Sequence, residues 1–223
     1  MERCLECPQA KRCRLPAETG LHPDNMTALI PGLRSLRTPC AGSQQPKIPG
    51  YKRIIMENAD RYRRATFAAG CFWDAEAAFR RIGGVVATAV GYTGGTIPDP
   101  TYELVSSGTT GHAEAVEIIY DPDTVTFDLL LGAFWEMHDP AQDGGQGDYT
   151  GSQYRSAIYC HDDTQKDAAL ASRSRLALSE TFQNRPVVTE ILPATTFWLA
   201  EESHQQFYEK CGQSYCTCRQ ADD

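Results

Sequence analysis

Residues 65–92 read ATFAAGCFWDAEAAFRRIGGVVATAVGY. Three elements follow from this stretch. Ala65–Ala69 is a short apolar run ending at Gly70 and reads as a strand. Phe72, Ala75, Phe79 and Ile82 then recur near helical spacing, and Gly83-Gly84 stops the helix. Val85–Tyr92 returns to a strand.

The alternation continues downstream. Thr93-Gly94-Gly95 and Pro98-Asp99-Pro100 are turns, and Ala113–Tyr120 alternates and is β-branched like a strand. Phe127, Leu130, Leu131, Phe134 and Trp135 keep the spacing of an amphipathic helix. Residues 139–153 are a loop rich in Gly and Asp, and Arg155–Tyr159 is a strand. Asp163–Thr181 predicts a helix, Val187–Leu192 a strand and Ala200–Lys210 a short helix. Interleaved strands and helices suggest an α/β or α+β sandwich around a small sheet. We adopt α+β: a two-layer sandwich, a small mixed sheet packed with helices, as in a ferredoxin-like plait.

Upstream, residues 1–50 are rich in Pro, Gly, Ser and Arg and carry no sustained period. We read residues 1–64 as a basic, loosely ordered extension, 65–210 as the folded body and 211–223 as a mobile arm. The extension holds 12 Lys and Arg against 6 Asp and Glu, a net of +6. The remainder holds 9 against 23, a net of −14, so the formal charge of −8 belongs to the body and arm. An acidic body is a poor binder of polyanions, and no apolar run approaches the ~18 residues of a membrane span. We expect no nucleic-acid or membrane partner, a monomer, and a cytoplasmic location. A transit peptide is the other reading of the Arg-rich head, opposed by Glu2 and Glu6.

Nine cysteines, an odd number, do not suit a secreted disulfide framework and fit a reducing compartment. Cys4, Cys7 and Cys13, with Cys40 or His22, have an irregular zinc-like spacing. We expect no metal site.

The chemistry begins at Gly70-Cys71-Phe72-Trp73. Cys71 stands where a strand ends and a helix opens, and the helix dipole there favours a thiolate. Two adjacent aromatics make an apolar lip for a small hydrophobic group. The competing reading is an inert, buried cysteine. In Ala113–Tyr120, Glu114, Val116 and Ile118 share one face, while Ala115, Glu117 and Ile119 share the other. Each face carries one carboxylate, so the pattern leaves open which is buried. A buried Glu114 would be a proton donor near neutral pH. Tyr102 and Tyr154 offer uncharged hydrogen-bond donors to an oxygen atom, though single tyrosines more often pack. Tyr215-Cys216-Thr217-Cys218 places thiols on the arm, where they could reach an oxidised nucleophile, hold a metal or remain surface thiols.

Together these residues resemble the A-type peptide methionine sulfoxide reductases. The likeness rests on Gly-Cys-Phe-Trp at 70–73, Gly-Tyr-x-Gly-Gly at 91–95, Pro-Thr-Tyr at 100–102 and Gly-His-Ala-Glu at 111–114. It continues through Phe-Trp-Glu-x-His-Asp-Pro at 134–140, Gln-Tyr-Arg-Ser at 153–156, and His204-Gln-Gln with Tyr215-Cys216. It implies Cys71 as nucleophile, Phe72 and Trp73 as the pocket for the substrate S-methyl group, and Glu114 as the acid that protonates the sulfoxide oxygen. Tyr102 and Tyr154 would hold that oxygen. Cys216 would resolve the Cys71 sulfenic acid, with Cys218 open to a second exchange and thioredoxin or a similar dithiol as reductant. It implies the S epimer and no cofactor.

Two departures stand out. Tyr149 occupies the place where the family usually has an active-site Asp, and Asp148 comes one position early, so either is a candidate at the substrate. Cys211 is an additional thiol near the arm. The rival readings are a cysteine hydrolase pairing Cys71 with His112 or His204, and a zinc-binding interaction module built on the head and tail cysteines.

Overall fold

The computed structural model describes residues 61–212. Its framework starts from two long apolar strands, β2 (Val85–Thr93) and β3 (Ala113–Tyr120), which pair antiparallel from Thr93↔Ala113 to Val85↔Tyr120 with one irregularity near Val85. The first strand, β1 (Arg63–Ala69), pairs antiparallel with the other edge of β3 and with β6 (Ser156–Cys160). The edges are β7 (Glu190–Pro193), parallel to β6, and the two-residue β8 (Trp198–Leu199), antiparallel to β2. The order is β7-β6-β1-β3-β2-β8, a mixed sheet.

One sheet face carries the helices. Helix α1 is Phe72–Phe79, α2 is Tyr102–Ser106, α3 is Phe127–Met137, α4 is Asp163–Ala177 and α5 is Phe207–Lys210. Phe67, Val116 and Ile118 on the strands pack with Phe79 of α1, Leu130 and Phe134 of α3, and Leu176 of α4 in one core. Phe67 stacks with Phe79 at 5.1 Å and Phe134 at 5.2 Å. The opposite face is paved with small side chains, Ala68, Ala113, Ala115 and Ala157, beneath Ala194 and Phe197. The arrangement is α+β, with helices layered on a mixed sheet.

Because β3 lies between β1 and β2 with both faces covered, Glu114 and Glu117 are both buried, at 1% and 3% exposure. Alternation marks one face only when the other meets water.

Several boundaries differ from the sequence-based expectation. Helix α1 ends at Phe79, with Arg80 as its cap, before Ile82. The predicted helix over Asp163–Thr181 ends at Ala177, and Glu180–Phe182 forms a separate 3-10 turn. The strand predicted over Val187–Leu192 is Glu190–Pro193. Of Ala200–Lys210 only Phe207–Lys210 is helical. Gln205 there spends its side chain on the backbone N–H and carbonyl of Val90, and Gln206 has φ 51°. Tertiary bonds to β2 outweigh local helix preference. The loop over 139–153 contains a hairpin of β4 (Gly145–Gln146) and β5 (Tyr149–Thr150), followed by a 3-10 turn at Ser152–Tyr154. Helix α2 had no signal in the apolar periodicity; Thr101 caps it, its side chain accepting from Leu104 N–H.

Candidate active site

Cys71 caps α1 at the end of β1, and Gly70 makes the turn between them. Gly70 has φ 88°, and a side chain there would meet Gln146 Cβ at 2.8 Å, so the glycine also seats the β4–β5 hairpin beside the thiol. Cys71 is 5% exposed and packs with Phe72, Trp73, Val90, Tyr92 and Val105. Glu114, at the start of β3, reaches the same place: its Oε2 accepts the Phe72 N–H at 3.1 Å.

Electrostatics here depart from the expected thiolate. Burial pushes the Cys71 thiol well above its ordinary range, and the Asp74 and Glu114 carboxylates push in the same direction. The Trp73 and Asp74 amides lower it less. A helix N-terminus acts within one turn, and here desolvation outweighs it. Burial likewise raises Glu114 to about 8, against the Phe72 N–H that favours its charge. Resting near neutral pH, the site holds a neutral thiol beside a protonated carboxylic acid. With that acid uncharged, its repulsion of a Cys71 thiolate vanishes.

Aromatic rings enclose the pair. Phe72 lies 5.9 Å from Tyr92 and 6.4 Å from Tyr102, and Trp73 lies 6.3 Å from Tyr102. Tyr102 is the first residue of α2, and burial holds its phenol protonated. Tyr154 is buried on the 3-10 turn, with its ring 5.1 Å from Tyr149. Tyr149 is partly buried against the Cys71 cluster, whereas Asp148 is exposed. Cys216 and Cys218 lie outside the described residues.

The sequence reading passed over several neighbours. Tyr92 shares a strand face with Val90 in the Gly-Tyr-x-Gly-Gly motif and donates its hydroxyl to Glu201 at 2.9 Å. Glu201 also accepts the Tyr102 N–H at 2.9 Å. Phe207 stacks on Trp73 at 4.0 Å, Tyr208 donates to Asp74 at 2.6 Å, and Glu76 accepts the Gln206 N–H at 2.7 Å. The segment from Ala200 to Lys210 is thereby bound over α1. Period-2 alternation could have flagged Tyr92; nothing local marks Glu201.

The two imidazoles are occupied elsewhere. His112 Nδ1 accepts the Gly95 N–H at 3.1 Å, which leaves Nε2–H to donate to the Ile97 carbonyl at 2.8 Å. It braces the 95–97 loop. His204 stacks on Tyr102 at 4.4 Å, and neither ring hydrogen bonds Cys71 among the described residues. Among the described residues, no group of His, Cys, Asp and Glu is arranged to hold a metal, and no helix is long and apolar enough to cross a membrane.

A buried thiol beside a carboxyl in an aromatic enclosure, with phenols at its edge, is a candidate site for cysteine-dependent oxidoreductase chemistry. The comparisons agree. Residues 63–223 match the family model described as peptide methionine sulfoxide reductase. The Methanosarcina mazei peptide methionine sulfoxide reductase MsrA is 55% identical over 159 residues, covering 71% of this chain and 75% of the relative. The Geobacter metallireducens enzyme of the same name is 50% identical over 161 residues, 72% of this chain and 99% of its own. Among solved structures, reduced Mxr1 from Saccharomyces cerevisiae superposes with a TM-score of 0.64 at 30% identity, covering 70% of this chain and 89% of its own. Methionine sulfoxide reductase A of Corynebacterium diphtheriae gives 0.62 at 37%, with 71% and 79% covered. The chain belongs to the peptide methionine sulfoxide reductase family.

Proposed function

We propose that this protein reduces methionine-(S)-sulfoxide, free or in proteins, to methionine through a sulfenic acid on Cys71. The observation that carries the assignment of roles is the Glu114 carboxyl, raised to about 8 by burial and joined to the Phe72 N–H at 3.1 Å beside the thiol.

A sulfoxide oxygen leaves sulfur only once protonated. Glu114 supplies that proton, and the phenols of Tyr102 and Tyr154 donate hydrogen bonds to the oxygen. Phe72 and Trp73 enclose the S-methyl group, with Tyr149 beside them in the place usual for a carboxylate. Cys71 passes its own proton to the Glu114 carboxylate left behind and attacks the sulfoxide sulfur; the S–O bond breaks, the protonated oxygen is transferred to the Cys71 sulfur as a sulfenic acid, and methionine departs, its sulfur reduced by the two electrons that the Cys71 sulfur loses. Cys216 then condenses with it, releasing water and forming a disulfide. Thioredoxin or a similar dithiol reduces that disulfide by exchange, directly or through Cys218. Each step is complete without an organic cofactor or metal.

The same reading covers the architecture. The inner strands run β6-β1-β3-β2, all antiparallel, with α1 after β1 and α3 after β3. This order supports classing the body expected over 65–210, whose first strand starts two residues earlier at Arg63, as a catalytic domain of ferredoxin-like plait type, between a basic extension and a resolving arm at 211–223. An odd number of cysteines favours the cytoplasm.

The test is one turnover on the separated epimers without reductant. Wild type should give one equivalent of methionine from the S epimer, and Cys71→Ser none. Cys216→Ser should still give one equivalent but lose thioredoxin-driven turnover. Peptide mapping should find a Cys71–Cys216 link; a Cys71–Cys211 or Cys71–Cys218 link would reassign the resolving thiol and leave the nucleophile standing.

A further inference from the structure

The chemistry above uses one carboxylate beside the thiol and leaves a second, Asp74, without a part. Asp74 is the third residue of α1, three positions after the Cys71 cap, and side chains at that spacing are neighbours on one helix face. An acid there normally serves the helix, by facing its positive end or reaching back to the cap N–H. Asp74 has a different partner. It is partly buried, and its Oδ1 accepts the Tyr208 hydroxyl at 2.6 Å, across 134 positions of sequence. The residues around Tyr208 are fixed on α1 as well. The Gln206 N–H donates to Glu76 at 2.7 Å, Phe207 stacks on Trp73 at 4.0 Å, and Arg80 donates to Glu209 at 2.8 Å.

Among the described residues, little offsets the Asp74 charge. Arg80, which caps the far end of α1, and Lys210 of α5 are held by Glu209 at 2.8 Å and Glu202 at 2.9 Å. Burial keeps His204 neutral near pH 7. The other titratable groups of the elements packed there are acids: Cys71 and Glu76 on α1, Glu114 on β3, and the phenols Tyr92, Tyr102 and Tyr208. Burial raises Asp74 from the ordinary carboxylate range, and the Tyr208 bond opposes this by favouring its charge. Burial is the main cause that raises Cys71 and Glu114, and the Asp74 charge adds to it at both. While Glu114 is protonated, Asp74 is the carboxylate that opposes a thiolate at Cys71.

We propose that Asp74, held by Tyr208, is a positioning residue for the reaction: its carboxylate keeps Cys71 a neutral thiol and Glu114 a protonated acid in the resting enzyme, and Tyr208 ties that control to the segment leading into the arm. The part that concerns Glu114 rests on the reductase reading. A thiol held neutral until substrate arrives is slow to react with other electrophiles, since the thiolate is the nucleophile.

The test uses the full chain and two reactions at Cys71 whose responses should be opposite. The first is alkylation of the reduced, substrate-free protein by iodoacetamide, followed on the Cys71 peptide because the chain holds nine cysteines. The second is single-turnover reduction of methionine-(S)-sulfoxide across pH. Asp74→Asn keeps an acceptor for Tyr208 and removes the charge. At about pH 8 its Cys71 should alkylate about tenfold faster, because removing a neighbouring like charge raises the thiolate fraction by that order. Its reductase rate at the same pH should fall, with the declining limb moved to lower pH as Glu114 loses its proton earlier. Asp74→Glu should restore the limb, and Tyr208→Phe should move it in the same direction as Asp74→Asn but less far. Alkylation and reduction changing in the same direction would make Asp74 a packing residue and overturn the proposal, as would unchanged pH profiles in Asp74→Asn. If wild type made no methionine, the reductase reading would fall, while the alkylation rates would still decide whether Asp74 restrains the thiol.

Discussion

A single carboxyl group governs how this site responds to pH. Glu114 is held near 8 by burial, so the folded protein binds its proton more tightly than the unfolded chain does. Stability from this group is therefore present at low pH and is lost as pH rises from the ordinary carboxylate range through about 8. Glu114→Gln removes that dependence. In thermal melts the Gln variant should gain several degrees on wild type between about pH 5 and about pH 9. The single-turnover rate should behave differently. In wild type it should decline above about pH 8, where the acid is lost. In Glu114→Gln it should be ~10²–10⁴-fold slower and lack that declining limb. An unchanged pre-steady-state rate across pH would rule out Glu114 as the proton donor.

Two elements around the site separate architecture from chemistry. The 95–97 loop is braced by His112, and Gly95 has no room for a side chain, since a Cβ there would meet the His112 backbone nitrogen at 2.4 Å. His112→Phe leaves the Gly95 N–H and the Ile97 carbonyl without partners, a destabilisation of ~1–3 kcal/mol. The folded variant should keep its reductase rate within a few-fold. A loss matching Cys71→Ala would instead favour a Cys-His mechanism. The β4–β5 hairpin carries Tyr149 towards the thiol and Asp148 towards solvent. Asp148→Ala should leave the single-turnover rate unchanged within about twofold, whereas Tyr149→Ala should lower kcat/KM by opening the enclosure. A comparison with Tyr149→Phe isolates any contribution from the phenol. These elements also show how far the chain could be read locally. The helix after Cys71 and the strand around Glu114 follow from apolar spacing, but α2 and the 200–206 segment do not. Their course is set by Thr101, Glu201 and Gln205, whose partners lie far away in sequence or follow no apolar period.

At the scale of the whole molecule, one aromatic stack ties the sheet to its helix layer. Phe67 on β1 meets Phe79, Phe127 and Phe134, from α1 and α3. Phe67→Ala should cost ~3–5 kcal/mol and appear as a lowered denaturant midpoint with little change in m. Because Cys71 caps the same helix α1, loosening this stack should reduce activity only as the folded fraction falls, and activity per folded molecule should persist below the transition.

The sequence by itself determined the order of the main strands and helices, the thiol at a strand–helix junction and the family likeness. Each of these depends on residues adjacent in the chain or repeated at short period. It left open which carboxylate of Ala113–Tyr120 is buried, because both faces of a central strand are covered and alternation then carries no label. It also suggested a thiolate at Cys71, since the helix terminus is visible locally while the burial that outweighs it is not. Only the tertiary structure brought Glu114 to the Phe72 N–H, turned both His112 nitrogens into the 95–97 loop, and set Glu201 and His204 against Tyr102. Those contacts join residues 15 to 102 positions apart. Burial and long-range hydrogen bonding are properties of the packed chain, and no local pattern encodes them.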